Sequence, residues 1–170
     1  MIFLPDDHTY PNRAKIMQIR PFSAGDTDEL AGLLEEMQGY YGVFCPPRDA
    51  IVAGILNRPL NTEIIVAGTS RVIGFAAFAS IFPGPGLVPG LFLKELFVSA
   101  SERGQEVGIK LMQRLAAIAV ERKFGRVDWT AARTNQRLLK FYDDLGGERK
   151  ETHIFYRLEG AKLNALAERS

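Results

Sequence analysis

The chain is poor in the residues that many enzymes use for chemistry. It has one cysteine, Cys45, and two histidines, His8 and His153, in 170 residues. A lone cysteine excludes an intrachain disulfide, and no Cys/His set has the spacing of a zinc site, so no metal is expected. No Gly-x-Ser-x-Gly elbow is present, which leaves a hydrolase-type serine nucleophile without its usual seat. No apolar run approaches the roughly 18 residues of a membrane helix. The start, MIFLPDDHTYPNR, lacks the basic then apolar order of a secretory leader. The formal net charge is +1, so no bulk field gathers nucleic acid or an anionic membrane. These deficits predict a cytoplasmic protein with neither kind of partner.

What remains is the composition of one globular domain. At this length a chain buries roughly 70% of the surface it exposes when unfolded. Residues 1–16 are polar, carry Pro5 and Pro11, and read as a loose arm. Met17 opens the strand-like QIRPF. Asp26 and Glu29 have capping-box spacing, and Leu30, Leu33, Leu34 and Met37 then mark one helix face. Gly39 is read as its end, with Tyr40 and Tyr41 leading into the Cys-Pro-Pro loop. Ile51, Val52, Ile55 and Leu56 suggest a second helix. Ile64–Ala67 and Val72–Phe78, joined by Gly-Thr-Ser-Arg, read as a hairpin. FPGPGLVPG, 82–90, is a loop, and Leu91–Val98 is the next strand. A helix follows on Leu111, Met112, Leu115, Ile118 and Ala119, then a strand through Val127, Trp129 and Ala131. Leu138, Phe141, Tyr142 and Leu145 mark another helix. Ile154, Tyr156 and Leu158 alternate as a last strand before the tail AKLNALAERS, 161–170.

The predicted order is β-α-α-β-β-β-α-β-α-β, an α/β chain with a mixed twisted sheet and helices on both faces. Residues 91–131 form a β-α-β unit, whose strands should be parallel. Ligands of such sheets bind at the carboxyl ends of strands. There the sequence reads Ser-Ala-Ser-Glu-Arg-Gly-Gln-Glu-Val-Gly, 99–108. A loop that opens a helix after a strand is an anion site in waiting, because the first helical amides lack internal partners and carry the positive end of the dipole. Arg103 can add charge, and Gly104 and Gly108 let the backbone approach a ligand. No Lys-Ser or Lys-Thr follows, so this is not a P-loop. An ordinary helix start with a solvated charge run would read the same from the loop alone.

Together, LFLKELFVSASERGQEVGIKLMQRL and TNQRLLKFYDDLGG resemble the Gcn5-related N-acetyltransferase (GNAT) superfamily, whose loop reads Arg/Gln-x-x-Gly-x-Gly/Ala. Arg103, Val107 and Gly108 match that loop, Leu96-Phe97-Val98 matches the strand end, and Asn135 and Phe141-Tyr142 match the later motif. The resemblance covers residues 17–160, read as the N-acetyltransferase domain. By the strand, Trp129, Asn135 and the ending RLEGAKLNALA, the chain looks most like the spermidine/spermine and thialysine acetyltransferase subgroup. The resemblance implies acetyl transfer from acetyl-CoA to a primary amine of a small molecule, by direct attack, in a homodimer. Leu96, Phe97 and Val98 would pair with the pantetheine arm. Amides of Gly104, Gln105, Glu106, Val107, Gly108 and Ile109 would take the pyrophosphate, with Arg103 beside them and Asn135 near the pantetheine. Tyr142 would be the general acid and Glu95 would help the amine lose its proton. Tyr40, Tyr41 and Lys94 would line the acceptor side.

Two positions depart from the family. The polyamine subgroup has two adjacent acids where this chain has Lys94 and Glu95, which argues against spermidine. The family has glycine where this chain has Glu106. Either only the Glu106 amide matters and its carboxylate points to solvent, or the loop no longer admits phosphates and the chain is a non-catalytic binding or sensor module. Tyr142 and Trp129 can each be packing residues, and Glu95 can be a solvated neighbour of Lys94.

Overall fold

A computed structural model describes residues 17–168. The chain divides into two compact units, the first ending at Thr130 and the second beginning at Ala131.

The first unit is built on five strands: β1 (Gln18–Pro21), β2 (Thr62–Gly68), β3 (Val72–Ile81), β4 (Gly90–Val98) and β5 (Val127–Trp129). They lie in the order β1-β2-β3-β4-β5. The first four are antiparallel neighbours, and β5 is parallel to β4, as the β-α-β pattern predicts. Helices α1 (Thr27–Tyr41) and α2 (Arg48–Leu56) pack on one face, and α3 (Val107–Glu121) packs on the other. The α1 stripe of Leu30, Leu33 and Met37 meets Ile55 of α2, Val66, Phe75 and Phe97. On the opposite face, Leu111 and Leu115 of α3 are fully buried, and Phe78 is 1% exposed. Burying each such side chain contributes about 1.5–3 kcal/mol.

The strands alternate between these faces, but β4 slips by one residue. Leu93 sits opposite Phe78 and Glu95 opposite Ala77, so Lys94 is an extra residue in the ladder. A bulge of this kind reverses the facing of every later side chain. Leu93 therefore shares the α3 face with Phe78, while Glu95 and Phe97 turn to the α1 face with Ala77 and Phe75.

Several element ends differ from the sequence reading. Helix α1 does not stop at Gly39. It runs through Tyr41 and ends at Gly42, whose left-handed φ of 64° closes the last turn onto Gln38 and Gly39 carbonyls. The expected Asp26–Glu29 box is replaced by two separate anchors. Asp26 accepts from the Ser23 amide (2.8 Å) and hydroxyl (2.9 Å), whereas Glu29 accepts from the Val72 amide of β3 at 2.7 Å.

The second unit contains α4 (Gln136–Asp144) and α5 (Gly160–Ala167). The expected last strand at 154–158 does not form. Ile154, Phe155 and Tyr156 are exposed there, and no ladder includes them. Alternation gives a strand only where a neighbour supplies hydrogen bonds, and the second unit holds no other strand among the described residues. The tail is helical instead, as α5. The N-terminal arm at 1–16 lies outside the described residues.

Candidate active site

The carboxyl end of β4 is where the first unit carries most of the expected site residues. The Ser99 amide donates to Ile73 O at 2.9 Å, and Phe97 pairs with Phe75. In an antiparallel ladder, alternate residues face the partner, so the main-chain groups of Leu96 and Val98 face away from β3, toward the side of β5. Strand β5 pairs only with Leu91, Phe92 and Leu93. Among the described residues, β4 thus runs on beyond Leu93 without a parallel partner, leaving a slot with peptide groups of Leu96 and Val98 on one wall.

After Val98 comes one turn of tight helix, Ala100–Glu102, then the loop into α3. The turn is clamped from several sides. The Glu36 carboxylate on α1 accepts from the Ala100 amide at 2.7 Å. Glu102 accepts from Arg71 (2.5 Å) and Gln105 (3.1 Å). From below, Val107 and Val98 close over Gly74 of β3. A Cβ on Gly74 would come within 3.0 Å of Phe97 O and 3.3 Å of both valine side chains, so its absence lets the start of α3 settle onto the sheet.

Within the loop, Gly104 has φ +86° and Glu106 has φ +60°, ψ 11°. The left-handed backbone at 106 explains why glycine suits that place. Glu106 adopts it with its side chain exposed. The first internal bond of α3 runs from the Lys110 amide to Glu106 O at 3.0 Å. Among the described residues, no protein acceptor takes the amides of Gly104, Gln105, Glu106, Val107, Gly108 or Ile109. These donors, the positive end of a four-turn helix and the open β4 edge together suit a long ligand. Its extended polar arm would lie along β4, and its diphosphate would meet the loop. The GNAT resemblance implies coenzyme A as that ligand.

Arg103 is engaged beside this cradle. Its Nε donates to Val98 O at 3.2 Å, and its guanidinium carbon lies 5.0 Å from the Tyr40 ring centroid and 5.7 Å from that of Phe97. Tyr40 also meets Tyr41 edge-on at 5.5 Å. The Tyr41 hydroxyl donates to Glu95 Oε2 at 3.1 Å, and Lys94 Nζ donates to Glu95 Oε1 at 2.9 Å. The structure therefore gathers Tyr40, Tyr41, Lys94, Glu95, Phe97, Val98 and Arg103. The bulge at Lys94 and the two extra residues of α1 bring them together. Periodicity signalled neither feature.

In the second unit, Asn135 is the N-cap of α4, its Oδ1 accepting from the Leu138 amide at 3.0 Å. Tyr142 is buried in α4, 5.1 Å edge-on from Phe141, and its carbonyl accepts from the Gly147 amide. Trp129 is part-buried at the end of β5. Among the described residues, no group of three or more His, Cys, Asp or Glu side chains could hold a metal, and no helix is long and apolar enough to cross a membrane. A cavity of about 260 Å³ lies between α1, α2 and β2. It is an apolar gap in which the Arg58 guanidinium is spent on Ile55 and Thr62 carbonyls.

Residues 25–146 match the acetyltransferase (GNAT) family. The L-ornithine N5-acetyltransferase NATA1 of Arabidopsis thaliana is 27% identical over 95 residues, which is 56% of this chain and 42% of that protein; the match thus spans less than half of the relative. An integron cassette protein from V. cholerae has a TM-score of 0.81 at 32% identity, covering 90% of this chain and 98% of that one. The aminoglycoside N-acetyltransferase AAC(6')-Iy, solved in complex with CoA, shares the fold with a TM-score of 0.70 at 23% identity, covering 87% and 98%. The family match runs from before α1 to the end of α4, through the β4 slot and its loop, and the chain belongs to the GNAT family of acetyltransferases.

Proposed function

We propose that the chain transfers the acetyl group of acetyl-CoA to a primary amine of a small molecule by direct attack. One observation carries the reading: among the described residues, the peptide N–H groups from Gly104 to Ile109 have no protein acceptor, and no strand of the sheet pairs with the β4 edge beyond Leu93. The pantetheine arm would run along Leu96, Phe97 and Val98 as an added strand, bonding the outward peptide groups of Leu96 and Val98 while those of Phe97 face β3. The Val98 amide would polarise the thioester carbonyl and hold the negative charge that develops on its oxygen. The diphosphate would accept from the loop amides, with Arg103 adding charge and Asn135 near the arm.

The amine needs a free lone pair, and an alkylammonium has an ordinary pKa near 10. Glu95 is the carboxylate on the α1 face of β4, and through water it would accept that proton. Tyr142 would protonate the departing thiolate. Carbon–nitrogen bond formation and carbon–sulfur cleavage balance with no oxidant and no enzyme nucleophile. Tyr40, Tyr41 and Lys94 would contact the acceptor. The ammonium of Lys94 beside Glu95 disfavours a long polycation. The similar protein from Arabidopsis is named for ornithine, an amine that also bears a carboxylate, and such amines head the panel to be tried. Assembly as a homodimer belongs to the same proposal, with exposed Ile154, Phe155 and Tyr156 as surface that a second copy would cover.

The test is an amine panel incubated with acetyl-CoA and read by mass for a gain of one acetyl group, with thiol release measured in parallel. Acetylation of at least one small primary amine, dependent on the enzyme, is the expected result. Thiol release without any acetylated amine, or neither signal, would refute it.

A further inference from the structure

The guanidinium of Arg103 does not lie free in solvent. Its Nε–H is aimed at Val98 O at 3.2 Å, and its guanidinium carbon lies over the Tyr40 and Phe97 rings, 5.0 and 5.7 Å from their centroids. The acceptor it meets is notable. Val98 O is one of the β4 main-chain groups that face away from β3, at a stretch that β5 does not reach. A bare strand edge attracts other strands, and a planar, weakly hydrated guanidinium suits capping it, because it donates in its own plane and stacks on rings through its face.

We propose that Arg103 is a resident cap on the β4 edge, occupying the place where the amide of the pantetheine arm docks, and that the coenzyme binds by displacing it. The inference rests on the reading of β4 as the pantetheine edge. It gives the arginine of the loop two positions. In the free enzyme it satisfies Val98 O. Once displaced, it is released toward the diphosphate. The exchange also links the two substrates. When Arg103 leaves, Tyr40 loses one cationic contact, and Tyr40 meets Tyr41, whose hydroxyl donates to Glu95, so the exchange reaches the acceptor side.

Competition fixes the sign of the effect. A ligand carrying the pantetheine arm without phosphates must displace Arg103 and gets nothing back from it. Arg103 is exposed, so solvent screening cuts the loss of its hydrogen bond and ring contacts to about 1–2 kcal/mol, about a 5- to 30-fold change in affinity. The experiment titrates pantetheine and, separately, CoA into the wild type, Arg103→Met and Arg103→Lys, using ligand-observed NMR, with circular dichroism to confirm folding. Arg103→Gln serves if the methionine variant does not fold. Pantetheine should bind Arg103→Met about 5- to 30-fold tighter than wild type, with Arg103→Lys between, because an ammonium keeps the charge but not the planar stacked donor. CoA should gain less than pantetheine, since it also loses the released charge near its phosphates. Pantetheine affinity equal to or below wild type, with CoA still binding, overturns the cap alone and leaves Arg103 as a phosphate partner only. Failure of the wild type to bind CoA overturns the β4-edge reading beneath it.

Discussion

Replacing Glu106 separates what its backbone does from what its charge does. The residue sits at φ +60°, ψ 11°, with an exposed side chain. A left-handed conformation costs a residue with a Cβ about 1–2 kcal/mol. Glycine removes that strain but has more unfolded-state freedom to lose, about 0.5–1 kcal/mol. Removing a carboxylate from a helix N-terminus loses a further 0.3–1 kcal/mol or so. For Glu106→Gly these nearly cancel. Glu106→Ala keeps the strain and loses the charge, so it should be the less stable of the two by about 0.5–1 kcal/mol. In a chain of this size that gap is roughly 1–4 °C in Tm, readable by thermal denaturation of the three proteins side by side. Binding tests the charge. If the loop amides hold the diphosphate and Glu106 faces solvent, Glu106→Gly should bind CoA only about two- to fivefold tighter at low salt, and the gain should fade as ionic strength rises. An alanine variant as stable as the glycine one would refute the backbone argument. A gain beyond a hundredfold would show that the carboxylate blocks the loop.

Three further outcomes follow from the site and its supports. Tyr142→Phe should lower kcat by tenfold or more, with CoA affinity within about twofold; unchanged turnover across pH would remove the hydroxyl from the chemistry. Glu95→Gln should lower kcat/KM for the amine about three- to tenfold, since the neutral amide neither attracts the ammonium nor takes its proton; an unchanged kcat/KM would leave Glu95 as a partner of Lys94 and Tyr41 only. Asp26→Asn should destabilise the fold by about 2 kcal/mol in urea titrations at pH 7, because the buried carboxylate receives two short bonds from Arg20 as well as those of Ser23. Bonding to Arg20 holds the Asp26 carboxyl well below its ordinary range. Its stabilisation is therefore complete above the unfolded value near 4 and fades as pH falls toward the folded one. The gap between wild type and variant should narrow between about pH 5 and pH 2, and a gap that widened on acidification would contradict the assignment.

The parts of the fold that local pattern controls were legible in the sequence. The stripe of Leu30, Leu33 and Met37, the hairpin around Gly68–Arg71 and the strand–loop–helix at 91–121 each follow from periodicity and turn chemistry, and each lies where expected. What escaped reading depends on partners distant in sequence. Nothing in LFLKELFV announces a bulge at Lys94, because the bulge is set by register against β3 and no glycine marks it. Without it, Glu95 and Phe97 would share the face of Leu93. The continuation of α1 past Gly39 was hidden by a glycine that a packed helix tolerates. The segment Ile154–Leu158 shows the converse error, since it carries a strand's pattern without a strand's neighbour. For the site, the loop and the β4 end were read from their motif, while the stacking of Arg103 on Tyr40 and the Tyr41–Glu95 bond span more than fifty residues and leave no local signal.

The central claim is that exposed peptide donors after β4 grip the coenzyme. Amide NMR of uniformly labelled protein, titrated with CoA in the absence of any amine, tests it most directly. Saturable shifts concentrated at the amides of Gly104 to Ile109, with a second group at Leu96 and Val98, are the predicted result. Saturable binding that leaves those amides unmoved, or no binding at millimolar CoA, would contradict it.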